Sequence, residues 1–174
     1  MKIKLIFILL FCVTCLFIGC ENEAAPTESI AGTEDAGDLE KGFGYGNWLE
    51  GNYALEEKFG TGIMNKDVDL FASCFWNDPN FCFVTATGEV VRGYEANREG
   101  IVQLFETFET IEVEVHWIDR WLVGRKVYAV GEASFRMVMY DGTVVEYKEV
   151  WTDGRMKVKD EWVIFLNHAH MLVE

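Results

Sequence analysis

The chain has 174 residues, half of them hydrophobic, with 29 acidic against 15 basic side chains and a formal charge of −14 at pH 7. That balance excludes nucleic acid as a partner, because phosphate-backbone binding rests on Lys and Arg displacing counterions; anionic lipid headgroups repel such a chain too. The length suits one domain with extensions.

Lys2 and Lys4 open the chain, Leu5 to Ile18 is an almost unbroken apolar run, and Phe17-Ile18-Gly19-Cys20 closes it. These 14 positions fall short of the roughly 20 that a helix needs to span a bilayer, so the run reads as a secretory signal. A small residue directly before a cysteine resembles the lipobox of bacterial lipoproteins, although Phe17 stands where leucine is usual. The resemblance implies that Cys20 is lipidated and becomes the new N-terminus, placing the protein outside the cytoplasm on a bacterial membrane, on its periplasmic side or at the cell surface. A plain secreted protein cut nearby is the alternative. Residues 1–19 are thus expected to be a signal peptide, and residues 20–46 a lipidated cysteine with a flexible acidic linker. The domain is expected over residues 47–174.

The linker carries seven acidic residues and five glycines between Glu21 and Gly46, with few large apolar groups, so it cannot bury enough surface to fold. As a coil it would span roughly 28 Å. Its Gly42-Phe43-Gly44-Tyr45-Gly46 stretch follows no strand and has no lysine after it, so it is no phosphate loop. Only Cys74 and Cys82 enter the domain. They flank a turn at residues 76–80, and either a disulfide or two buried thiols would fit.

Leu55, Phe59 and Ile63 recur at helical spacing from Trp48 onward. Asp67 is placed to cap a second, short helix bearing Val68, Phe71, Cys74 and Phe75, which Asn77-Asp78-Pro79 stops. A short strand at 81–85 turns at Thr87-Gly88 and starts back at 89–92. Residues 93–108 are helical, with Ile101, Leu104, Phe105 and Phe108 towards a core. Four long strands follow at 111–123, 127–140, 143–158 and 162–173. Asp141-Gly142 suggests a two-residue hairpin; Gly124-Arg125-Lys126 and Lys159-Asp160-Glu161 suggest three-residue loops. Helices first and a meander last is an α+β order.

Asn65-Lys66-Asp67-Val68-Asp69-Leu70-Phe71, then Phe81 to Thr85 and Gly88 to Gly93, resemble the opening of nuclear transport factor 2-like domains. Trp151-Thr152-Asp153, Trp162-Val163-Ile164 and His168-Ala169-His170 are similar to the closing strands of the SnoaL-like branch, whose fold is that of ketosteroid isomerase. The likeness runs from Trp48 to Glu174. It implies a conical, strongly curved antiparallel sheet, with about three N-terminal helices, enclosing a pocket. The isomerase's helix tyrosine and strand aspartate correspond to Phe59 and Thr85, so its mechanism is not implied.

With the loops above, one face of the sheet carries Trp117, Asp119, Trp121, Ala129, Gly131, Ala133, Thr152, Gly154, His168 and His170 among apolar neighbours. A turn at Asp160-Glu161 would instead put Asp153 and Arg155 inside; burying unpaired charge costs several kcal/mol, and this alternative is set aside. Asp119 and His168 are the catalytic candidates, a carboxylate and an imidazole at opposite ends of a ligand, with a polyketide cyclase-, dehydratase- or isomerase-like reaction in view. A β-bulge would turn Asp119 to solvent. Trp117, Trp121, Gly131, Thr152 and His170 are the ligand-binding candidates. His168 and His170 with a carboxylate would suit iron or zinc, but no third ligand is secure; no metal or cofactor is expected. The other face carries Tyr128, Val130, Val138, Tyr140, Val145, Tyr147 and Trp151, too large an apolar patch for a monomer to leave wet, so a homodimer is expected. The reading is a lipid-anchored binder of a small, apolar or weakly polar molecule. An acid–base enzyme and a non-catalytic dimeric module are the alternatives.

Overall fold

The computed structural model describes residues 47–172; the signal, Cys20 and the linker lie outside the described residues. Helix α1 (Trp48–Met64) buries Leu55 and Ile63 and ends where Lys66 takes a positive φ of 54°. Asp67 then caps α2 (Val68–Ala72), accepting from the Leu70 amide at 2.9 Å as its sequence position implies. A Cβ on Gly62 would lie 2.8 Å from the Phe71 backbone, so only glycine lets the two helices meet this closely. Phe59, Phe71, Phe75, Phe81 and Phe105 form a linked ring cluster beneath them, with centroids 4.6–6.0 Å apart.

Strands β1 (Cys82–Val84) and β2 (Val90–Arg92) lead into α3 (Tyr94–Thr107). The long strands are β3 (Phe108–Val123), β4 (Lys126–Met139), β5 (Val144–Val158) and β6 (Glu161–Leu172). The six form one curled, unclosed sheet in the order β2-β1-β6-β5-β4-β3, in which only the β1–β6 pair is parallel. The expected α+β architecture with three helices among the described residues is what the chain adopts. Cys74 and Cys82 are both free thiols, and burial pushes Cys74 up to about 12, as suits a small hydrophobe.

All three hairpin loops differ by one residue from expectation. The β3–β4 turn is the two-residue Gly124-Arg125, and the β5–β6 turn the two-residue Lys159-Asp160. The β4–β5 loop is Tyr140-Asp141-Gly142; Gly142, at φ 84°, supplies the left-handed residue that a three-residue loop requires. Bulges add to this: His116 is left unpaired on β3 and Phe165 on β6.

A one-residue slip inverts a strand. On β5 the helix-covered inner face therefore holds Val145, Tyr147, Glu149, Trp151, Asp153 and Arg155, which pair with the inner residues of β4 from Met137 to Val127. On β3 the bulge brings Ile118, Arg120 and Leu122 inside beyond it, while Val113 and Val115 face inward before it.

Candidate functional site

On the inner face β4 presents Ala129, Gly131 and Ala133. Its expected orientation holds, but the space above Gly131 is taken. A Cβ there would come within 2.5 Å of Trp151 Cη2, so the indole of the paired strand lies in the place of the missing side chain. The Trp151 indole N–H donates to the Asp153 carboxylate two residues on. Asp153 in turn accepts from Nε and Nη2 along one edge of the Arg155 guanidinium, at 2.6 and 3.0 Å. Arg155 Nη1 reaches α1, donating to Glu56 Oε1 at 2.6 Å and Asn52 Oδ1 at 3.2 Å. Arg120 from β3 grips both oxygens of the same Glu56, donates to the Ile118 carbonyl at 3.1 Å, and lies over the Tyr53 ring.

Two acids and two bases thus form one charge-balanced cluster, with the Asp153 and Arg155 side chains each only 2% exposed. Burial raises the Asp153 carboxyl, opposed by its pairing with Arg155. Arg155, which burial alone would lower, is held above the ordinary arginine value by Asp153 and Glu56. The objection to an inward Asp153 and Arg155 fails because it took the two charges as unpaired. An aspartate and an arginine two apart on a strand share a face and neutralise one another.

Glu149 is the exception. It stands on the same face between Tyr147 and Trp151, opposite Ala133 on β4 and Met171 on β6. Among the described residues no hydrogen bond or ion pair meets its carboxylate. Burial alone pushes it up to about 7, which makes it a group that exchanges a proton near neutrality. Tyr147 beside it stacks on Phe135, rings parallel at 5.0 Å. Towards the β3 edge this face is open: Val115, paired with Ala133, is 49% exposed.

The candidates named from sequence lie elsewhere, with Gly131 as the exception. The β3 bulge turns Trp117, Asp119 and Trp121 to the outer face, where the tryptophans are 42% and 50% exposed and Asp119 pairs with Val130. Thr152 does lie opposite His168, as the strand pairing implies, but on the outer face, with His170 beside them, exposed. Two strands separate Asp119 from His168, so the pair does not close on a common ligand. Among the described residues no three His, Cys, Asp or Glu side chains converge as a metal set. Conversely, Val145, Tyr147 and Trp151 leave the outer patch, and Trp117, Trp121 and Leu166 replace them.

A signal for the inner residues was present in the strand itself. The inward set expected on β5 shares its parity with Glu146 and Lys148, whereas the true set offers Val145, Tyr147 and Trp151 with one self-neutralising pair and the single acid Glu149.

No protein-family model and no curated protein matches the sequence. Solved structures do. A nuclear transport factor 2-like superfamily protein from Salmonella enterica serovar Typhimurium superposes at TM-score 0.65 with 17% identity, over 74% of this chain and 94% of the other. The chain has the nuclear transport factor 2-like fold. A proposed dehydratase of the nuclear transport factor 2-like family from Streptomyces avermitilis matches at 0.67 and 13% identity, covering 74% and 99%. A hexachlorocyclohexane dehydrochlorinase matches at 0.66 and 12%, covering 78% and 90%. At such identities the likeness carries the nuclear transport factor 2-like fold and no residue of a site.

Proposed function

We propose that this protein is a lipid-anchored, extracytoplasmic domain that holds a small, largely apolar molecule on the inner face of its sheet. The observation that carries the reading is the stretch of inner face that is open at Val115 and runs across the buried Ala133 to Tyr147, Glu149 and Trp151 on β5, with the Glu149 carboxylate among apolar neighbours. Apolar lining with few polar groups is the ordinary make-up of a small-molecule site. The lipid would come through Cys20, and the outer patch around Trp117, Trp121, Tyr128 and Leu166 would take a second copy.

The test is titration with the neutral fluorophore N-phenyl-1-naphthylamine. A Val115→Asp variant, whose side chain is exposed enough for folding to tolerate the change, should lose about tenfold or more in affinity, near 1.4 kcal/mol. A Trp121→Ala variant should not. Equal affinity in all three proteins would sink the inner-face site. Retention of Cys20→Ala in the membrane fraction would likewise remove the anchor.

A second reading has one observation behind it. Glu149, titrating near neutrality without a charged partner, suits a general base, so an acid–base enzyme remains in view with Glu149 in place of Asp119 and His168. The named activities of the fold's dehydratase and dehydrochlorinase neighbours agree with that class.

A further inference from the structure

The proposed inner-face site leaves open what its one free polar group recognises. Glu149 projects from β5 between Tyr147 and Trp151, and its cross-strand neighbours Ala133 and Met171 offer neither charge nor hydrogen bond. The other charged groups on this face are Glu56 from α1, Arg120 from β3, and Asp153 and Arg155 from β5, and these saturate one another. On α3, Glu95, Glu99 and Glu106 are exposed and Arg98 pairs with Asp69. His168, His170 and Lys148 lie on the outer face. Lys58 on α1 pairs with Glu161, and Lys66 just beyond α1 donates to the Phe108 carbonyl and the Tyr140 hydroxyl, so each of these basic side chains is engaged away from Glu149.

We infer that the ligand brings the missing charge: a small organic cation, an amine or quaternary ammonium, seated against Glu149 with its apolar part along Tyr147, Trp151 and Val115. Three further features agree. Aromatic rings beside a carboxylate attract such cations through their π faces as well as through the charge. The chain's charge of −14 raises the local concentration of cations and repels anions. The two arginines that would otherwise receive an anionic ligand are occupied. A neutral acceptor would need Glu149 protonated, whereas a cation needs it ionised, so the two ligand classes respond to pH in opposite senses. Because burial holds Glu149 near pH 7, cation affinity should rise between pH 6 and pH 8.

The inference rests on the inner-face reading, and the experiment separates the two. Calorimetric titration of the chain from residue 20 onward, carrying Cys20→Ser, compares choline with its uncharged isostere 3,3-dimethyl-1-butanol at pH 6 and pH 8 at fixed ionic strength. The expected result is at least a tenfold preference for choline at pH 8, smaller at pH 6 and abolished in Glu149→Gln. Equal or tighter binding of the alcohol, or a preference that survives in Glu149→Gln, overturns the inference. Binding of neither compound alongside normal uptake of N-phenyl-1-naphthylamine overturns it as well, leaving the apolar site standing. Failure of all three compounds overturns both readings.

Discussion

Glu149 and Trp151 stand two positions apart on one strand face, and solvation divides their roles. The indole is fixed twice, by the gap above Gly131 and by its bond to Asp153, whereas the carboxylate has only apolar neighbours. The folded-state pKa of Glu149 lies above its ordinary value of 4.5, at about 7. For a group raised on folding, the stability it contributes is whole below the unfolded pKa and is lost as pH climbs through the folded one. Between pH 4.5 and 7 the native state should therefore lose up to about 3 kcal/mol on this account. Glu149→Gln, which stays neutral, should match the parent near pH 4.5 and exceed it increasingly towards pH 8. Parallel urea midpoints for the two proteins across that range would show that Glu149 is solvated.

At the scale of elements, the order of helices and strands was legible because periodicity and capping are local: Asp67 caps α2 as its sequence position implies. Facing was not, because it hangs on single residues in loops. Gly142 in the left-handed region lengthens one hairpin, Lys159 at φ 57° allows another to be shorter, and the unpaired His116 reverses β3 halfway along. The Thr152–His168 pairing survived because the Phe165 bulge offsets the shorter turn, yet a correct partner on the wrong face places both outside. Arg155 is the bond between α1 and β5, so Arg155→Met should leave Asp153 with a buried, uncompensated charge while Glu56 keeps Arg120, and cost about 3–5 kcal/mol. Chemical denaturation checks this, and a loss below about 1 kcal/mol would mean that the cluster is hydrated. The candidate base escaped the sequence for the same reason as the cluster: its facing depends on a loop length, not on its neighbours.

For the whole molecule, the sheet divides two surfaces with different chemistry. The inner one is mostly covered and, apart from Glu149, neutralised, and the outer one leaves Trp117, Trp121, Tyr128 and Leu166 in contact with solvent. Covering rings of this size is a strong drive to association. Sedimentation of the Cys20→Ser chain should give a dimer that Trp121→Glu converts to monomer; an unchanged monomeric value in both would remove the outer face as an interface. Such a dimer would keep the inner faces open, so assembly and ligand capture need not compete. The most direct measurement of the central claim is amide chemical-shift mapping of the ¹⁵N-labelled Cys20→Ser chain titrated with N-phenyl-1-naphthylamine. The account predicts shifts at Val115, Gly131, Ala133, Glu149 and Trp151, with Trp121, His168 and His170 unmoved. Shifts confined to that second group would contradict it.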